Sequence, residues 1–424
     1  MKNRLKLLIA VLMSLPLLQK AQGFQVNLQG QKQQAMGGAG SALIQDGAAV
    51  FFNPGGVSFL KENSVNVGAN AVFANSAFLD SDNNSFARTT SPVATPFAAY
   101  AVFGLKDSCS LKCIKSAKCL NFLKKIKLGL GAYTPFGSIV TWQDGWTGRF
   151  GLTSLKLQTI FIQPTISYKV CDKLGIGAGF VFANGDVELK QDVPLINASG
   201  NYGKADLKGK ATAYGYNAGI YFKPTDKLSF ALTYRSQINM KVKNGTATFT
   251  VPPSLGTNLP SGPFSASLAL PSVYTFGAAY VVNQKLSLAL DVNYIGWKCY
   301  DTLAFDYKNN TPTLPDTKLP RNYKNTFAFR YGAQYQLTDK IIVRAGMSIS
   351  RTPIKDGFVT PELPDANRLN YMAGFGYKIG KRFIVDASYT FEHFTRKDNN
   401  IALKLNGTYK TYISAVGLSV IYNF

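Results

Sequence analysis

Residues Thr408 to Phe424 read TYKTYISAVGLSVIYNF, and this closing stretch decides the fold. Tyr412, Val416, Leu418, Val420, Tyr422 and Phe424 share one parity, while Ala415, Gly417, Ser419 and Asn423 share the other. Successive side chains of a strand point to opposite faces, so this is a ribbon with one apolar side and one small or polar side. It stops on an aromatic residue, as the closing strand of a bacterial outer-membrane barrel does. A soluble sandwich could end in the same way, so the other end of the chain has to decide.

That end reads as an export signal. Lys2, Arg4 and Lys6 precede an apolar run from Leu7 to Leu18, and Ala21 and Gly23 place small residues three and one positions before Phe24. The run is too short for a bilayer-spanning helix, which needs about 20 residues. Cleavage is expected after Gly23, and Phe24 in place of a cysteine argues against a lipid anchor. No later stretch approaches the length of a helical span, so an inner-membrane helical bundle is excluded. The 29 Phe, 22 Tyr and 38 Gly suit short tight turns and aromatic girdles. A net charge of +23 fits solvated turns, anionic lipid headgroups or acidic solutes. Nucleic acid is not an expected partner, because the basic residues are scattered over strand ends.

The terminal pattern recurs through the interior. Leu228, Phe230, Leu232, Tyr234, Ile238, Met240 and Val242 alternate with smaller or polar residues, as do Leu286 to Tyr294 and Ile341 to Ile349. In a barrel the polar parity faces a lumen and the apolar parity faces lipid. Short turns at 170–173, 223–227, 282–285, 337–340 and 378–381 alternate with longer polar loops near 191–206, 243–265, 300–321, 352–368 and 397–407. The strands fall near 64–76, 95–105, 126–137, 155–170, 174–189, 207–223, 227–242, 266–281, 285–299, 322–337, 340–351, 369–378, 381–395 and 408–423. That count is fourteen, and an even number returns both ends to the same side.

Residues 24–60 break the strand pattern. Met36, Gly37, Gly38 and Gly40 lead to Phe51-Phe52-Asn53-Pro54-Gly55-Gly56, and the apolar content argues for a packed element and not a loose tail. A fourteen-stranded wall encloses a lumen wider than its own side chains can fill, so a plug inside it is reasonable. The expected organisation is a signal peptide at 1–23, a plug at 24–60 and an all-β, antiparallel transmembrane barrel at 61–424.

Six short segments stand out in order along the chain: Gly23-Phe24-Gln25, Asn53-Pro54, Tyr133-Thr134-Pro135-Phe136-Gly137, Tyr294-Ile295-Gly296-Trp297, Leu363-Pro364-Asp365-Ala366-Asn367-Arg368 and Gly374-Phe375-Gly376-Tyr377. Together they resemble the FadL family, outer-membrane transporters of long-chain fatty acids and other hydrophobic compounds. The resemblance implies a fourteen-stranded barrel closed by an amino-terminal hatch, with the mature end at Phe24 near the ligand. It departs at Gly55, where the family usually has alanine; a small residue is kept, so the turn is expected to survive.

A hydrophobic ligand gains by leaving sideways into the bilayer, and that exit needs a gap in the wall. Pro135 lacks an N–H for the ladder and Gly137 permits a bend beside it, so Pro135, Phe136 and Gly137 are expected to kink the third strand and open it laterally. The alternative is a proline near a strand end where the ladder is finishing. Arg235, Lys324, Arg330 and Arg344 lie on the lumen face by parity, and Arg235, Lys324 and Arg330 are the candidates to hold a carboxylate. Each could instead pair with a lumen acid such as Asp186, Asp291 or Asp386. Trp142 and Trp146 could catch hydrophobic molecules at the outer surface or anchor the barrel at the interface.

Five cysteines are unusual in such a barrel. In an oxidising compartment Cys171 could bond to one of Cys109, Cys113 and Cys119, leaving Cys299 free. Their spacing fits no zinc motif, and His393 is the chain's single histidine, so neither a metal nor another cofactor is expected. No G-x-S-x-G elbow, H-E-x-x-H helix or phosphate loop is present, so no enzyme is expected. The expected function is uptake of long-chain fatty acids or related hydrophobic molecules by a monomer in contact with outer-membrane lipid and lipopolysaccharide. A transporter of aromatic hydrocarbons, a diffusion porin or a structural barrel are the alternatives.

Overall fold

The computed structural model describes residues 23–105 and 122–424. Its wall is a closed, antiparallel, 14-stranded barrel. The strands are β1 (Ser64–Asp80), β2 (Phe97–Gly104), β3 (Ile126–Tyr133, resuming as Gly137–Thr141), β4 (Ser154–Cys171) and β5 (Leu174–Ile196). They continue as β6 (Tyr202–Phe222), β7 (Leu228–Arg235 and Ile238–Thr250), β8 (Gly262–Leu270 and Val273–Val281), β9 (Leu286–Ile295) and β10 (Thr326–Gln336). The last four are β11 (Ile341–Ser350), β12 (Arg368–Ile379), β13 (Phe383–Asn400) and β14 (Leu405–Asn423). The ring shuts where β1 pairs with β14 from Ser64↔Asn423 to Asp80↔Gly407. Closure removes every free edge, which is the condition for a sheet to sit in a medium that cannot hydrogen-bond it.

The parity of the closing strand holds. Val416, Leu418 and Val420 point outward, while Ala415, Ser419 and Ile421 are buried inside. Phe424 sits at the rim against Phe103 and Tyr422.

Three of the loops expected from polarity are shorter than anticipated. β5 and β6 run on to a turn at 197–201, β7 reaches Thr250, and β13 and β14 meet across 401–404. The polar residues there belong to strands that continue past the apolar band, with charges paired along them: Glu188 accepts from Lys190 at 2.7 Å and from Lys208 at 3.2 Å. A second difference lies in β7. Ser236 and Gln237 interrupt it, and beyond them Ile238, Met240 and Val242 turn inward while Asn239, Lys241 and Lys243 face out. Unbroken alternation would have kept those apolar residues on the outer face. An odd shift at an interruption exchanges the two faces of a strand.

The amino-terminal segment packs against the inner face of the wall. It contains two short helices, α1 (Gln31–Ala35) and α2 (Ala49–Phe52), then a 3₁₀ turn at Pro54–Phe59. Val50 and Val57 join a buried apolar cluster with Tyr100, Val102 and Phe161, Met36 packs with Ala231, Ala279 and Ala289, and polar contacts run beside them. Lys32 lies 3.5 Å from Asp46 and 3.9 Å from Asp386, which also pairs with Arg344 at 2.7 Å. Gln34 donates to Thr390 and Gln31 accepts from Ser388. Two approaches need glycine. A Cβ at Gly55 would lie 2.5 Å from the carbonyl oxygen of Gly219, and one at Gly346 would overlap the backbone of Met36 and Gly37.

Candidate ligand passage

The third strand is broken at 134–136. Pairing with β4 ends at Tyr133↔Phe161 and resumes at Gly137↔Gln158, so three residues of β3 face two of β4. Pro135 cannot donate to the ladder, and the surplus residue forces the chain out of register. The displaced segment finds its partners inside the lumen. The Val26 amide donates to Pro135 O at 2.9 Å, and the Gly137 amide donates to Phe24 O at 3.2 Å. Gln25 and Phe136 form an isolated antiparallel bridge. Thr159 of β4 bridges what remains, since its hydroxyl accepts from the Phe136 amide and donates to Phe136 O at 2.7 Å.

A cavity of about 370 Å³ opens beside this break. Val72, Thr411, Met372 and Asn370 line it from inside, Leu363 and Pro364 from above, and Gln25 and Val26 from the amino-terminal segment. Thr159 on the inner face of β4 and Gln158 and Ile160 on its outer face all border it, as do Asn184 and Asp186 on the outer face of β5. The cavity therefore reaches both sides of the wall where β3 is interrupted. Its volume falls within the roughly 300–1,000 Å³ of small-molecule sites.

A second, smaller chamber of about 50 Å³ shares Gln25, Val26, Asn27, Phe136 and Arg330 with the first. Its lining adds Phe51, Phe52, Arg235 and Asp291. Arg235 lies 3.7 Å over the Phe51 ring and donates to Phe51 O at 2.8 Å, and its Nε has no partner among the described residues. Arg330 donates to Gly38 O at 3.2 Å and to Asn27 Oδ1 at 2.7 Å. Asp291, opposite Arg330 across the β9–β10 ladder, accepts from the Gly40 and Ser41 amides at 3.0 Å each and from the Ser41 hydroxyl at 2.6 Å. The chamber thus carries two guanidinium groups against one carboxylate.

Above it, loop residues and the outer parts of β12 and β13 form a second charged cluster. Arg368 bonds Asp365 at 3.3 Å and Glu392 at 2.5 Å, and Arg321 bonds Glu362 at 2.7 Å. Burial pushes the Asp365 carboxyl up to about 6, against the opposing pull of Arg368 and the Gly23 amide.

The candidate residues are redistributed accordingly. Arg235 and Arg330 both line the small chamber. Lys324 does not join them: β10 begins at Thr326, and Lys324 is exposed in the loop before it, its amide donating to Pro353 O. Asp186 faces outward and is not a lumen acid, whereas Asp386 pairs with Arg344 as anticipated. Phe24 is buried, but it packs edge-on to Tyr300 and does not border the cavity. Trp142 and Trp146 are not surface traps. They stack on each other at 4.3 Å and pack against Tyr409 and Phe78 respectively, at 2 % and 3 % exposure. Asn53 caps the turn expected of Asn53-Pro54-Gly55: its Oδ1 accepts from the Gly55 amide and its Nδ2 donates to Ser41 O and Ile220 O. Cys171 is exposed and has no disulfide partner among the described residues, and Cys109, Cys113 and Cys119 lie outside them; Cys299, likewise unpaired among the described residues, has its thiol pushed up to about 11 by burial. Thr159 and Glu392 also line the cavity, and no motif marks them, because nothing local shows which inward side chains stand beside a strand break or a loop more than twenty residues away.

The family model for outer membrane protein transport proteins (OMPP1/FadL/TodX) matches residues 13–424. The chain belongs to this family. A putative outer membrane protein of Neisseria meningitidis is 24% identical, over 95% of each chain. A FadL homologue from Pseudomonas aeruginosa has the same fold, with a TM-score of 0.79 at 21% identity, covering 95% of this chain and all of that one. The Pseudomonas putida toluene transporter TodX superposes with a TM-score of 0.71 at 17% identity, covering 93% of this chain and 98% of that one. The proteins of this OMPP1/FadL/TodX family transport hydrophobic compounds across the outer membrane.

Proposed function

We propose that the exported chain, freed of residues 1–23, sits in the outer membrane and takes up long-chain fatty acids or related hydrophobic acids, with residues 24–60 acting as a hatch. The ligand enters between the outer loops and lays its apolar tail in the large cavity. Its carboxylate meets Arg330 and Arg235 in the small chamber. It leaves sideways through the break at Thr134–Phe136, at the upper edge of the apolar belt, and enters the outer leaflet without an aqueous step. The observation that carries this reading is the cavity bordered by both faces of β4 beside that break. Aromatic hydrocarbons are the second reading, favoured by the apolar rim of the same cavity and by the likeness in fold to a toluene transporter.

Conductance separates both from a diffusion porin. The full chain in a planar bilayer is expected to be almost non-conducting, and deletion of residues 24–56 to give steady open-channel current. Equal current from both forms would show that the segment does not close the lumen. Oxidation of Cys171 onto one of Cys109, Cys113 or Cys119 is a further part of the proposal, clipping two turns at one rim. Non-reducing peptide mass mapping should recover that crosslink, and all thiols free in protein taken from the membrane would rule it out.

A further inference from the structure

The outer faces of β4, β5, β6 and the upper part of β7 carry a graded surface. Lowest stand Ile162, Phe182 and Tyr214, neighbours by register, with Phe180 and Tyr216 just beneath. Tyr214 is 66% exposed and Phe180 53%, as side chains at the top of an apolar belt would be. Two residues further along each strand the row becomes Ile160, Asn184, Thr212 and Lys241. The next rows hold Lys210 opposite Asp186, and then Lys156 opposite Glu188. Each step of two residues advances roughly 7 Å along a strand, less along the barrel axis because strands tilt. A lysine stem can cover the remainder for Lys210, Lys241 and Lys243, whose ammonium groups fall within the headgroup layer, roughly 5–7 Å thick on each side, and Lys156 stands one row above them.

The charge balance here is uneven. Glu188 is taken by Lys190 and Lys208, and Asp206 by Lys208 at 2.9 Å. Lys156, Lys210, Lys241 and Lys243 are exposed and make no ion pair among the described residues. Asp186 offsets one of them and leaves an excess of positive charge. The face exchange at Ser236–Gln237 is what brings Lys241 and Lys243 out beside Lys210; without it they would point inward.

Given the outer-membrane placement proposed above, on which this inference rests, we propose that this cationic face is a docking surface for the phosphorylated glycolipid of the outer leaflet. The acyl chains lie on Ile160, Ile162, Tyr214 and Phe180, and the glucosamine phosphates meet Lys156, Lys210, Lys241 and Lys243. Lipid phosphate against several lysines fits by charge, by height and by the apolar strip directly below.

The test uses the quadruple variant K156Q/K210Q/K241Q/K243Q, with the whole chain purified from membranes and its heat-modifiable migration checked as a measure of folding. Native mass spectrometry would follow bis-phosphorylated lipid A and its dephosphorylated form from mixed micelles. The wild-type chain is expected to bind phosphorylated lipid A about tenfold more tightly than the variant does, with the phosphate preference lost in the variant. Equal binding by the two chains, or no preference for phosphate in the wild type, overturns the proposal. Displacement by millimolar inorganic phosphate alone would also overturn it, by showing an anion site and not a lipid one. Uptake of the hydrophobic ligand should be equal in both chains, so a failure of the transport reading appears as absent uptake in wild type and leaves the lipid A result to stand by itself.

Discussion

Straightening the third strand is expected to bring ligand uptake down to the level of cells without the protein. The change is deletion of Phe136 with Pro135→Val. It restores one-to-one register between Tyr133↔Phe161 and Gly137↔Gln158 and returns a donor to the ladder. Residues 24–26 lose their bonds to Pro135 and Gly137, while β3 gains bonds to Thr159 and Ile160. Each exchanged hydrogen bond is worth about 0.5–1.5 kcal/mol, so the two sets nearly cancel and the barrel should unfold no more easily than wild type. Uptake of a labelled fatty acid, with heat-modifiable migration as the control, reads the two consequences separately. Undiminished uptake by a folded variant would show that ligand does not leave through the wall at this point.

The second large effect concerns the headgroup of the ligand. Arg330→Met removes a buried cation, and Arg235→Met a half-buried one, from a chamber with one carboxylate. A charge-assisted hydrogen bond is worth about 1.5–3 kcal/mol, so each variant should bind a long-chain fatty acid about 10- to 100-fold more weakly. The corresponding long-chain alcohol should lose almost nothing, and that contrast removes general damage from the comparison. Arg330→Met also strips Gly38 O and Asn27 of their donor, so some loosening of the amino-terminal segment will accompany it. Arg235→Met is the cleaner variant, because its acceptor, Phe51 O, is a single carbonyl at the chamber edge. If acid and alcohol weaken together in both variants, the guanidinium pair does not read the carboxylate and the hydrocarbon reading gains.

Comparing β11 and β7 shows how far a pattern of alternation reaches. In β11 the outward parity of Val343 and Ala345 and the inward parity of Arg344 and Ser348 are those of the sequence, because nothing interrupts the strand. In β7 the same reasoning works to Arg235 and then reverses, since Ser236 and Gln237 leave the ladder with no mark stronger than two polar residues in a polar region. Lys324 escapes the lumen for a related reason: parity does not extend past a strand's true end, and only the pairing of Ile295 with Thr326 shows where β10 starts. Trp142 and Trp146 lie in a loop, where side chains are usually exposed. They are buried because Phe78 and Tyr409, from β1 and β14, close over them.

Local chemistry, then, was enough to determine the alternating strands, their even number, the closing aromatic residue, the break at Pro135 and the packed character of residues 24–60. Side-chain period, proline's missing donor and turn composition act within a few residues of each other, so they are visible in the chain itself. Tertiary structure alone decided that residues 24–26 take over the bonds lost by β3, that Arg235 and Arg330 share a chamber with a single carboxylate, and that four lysines of three strands stand together above an apolar strip. Each of those depends on which residues meet across the barrel once β1 has closed on β14, and sequence separation carries no trace of that distance.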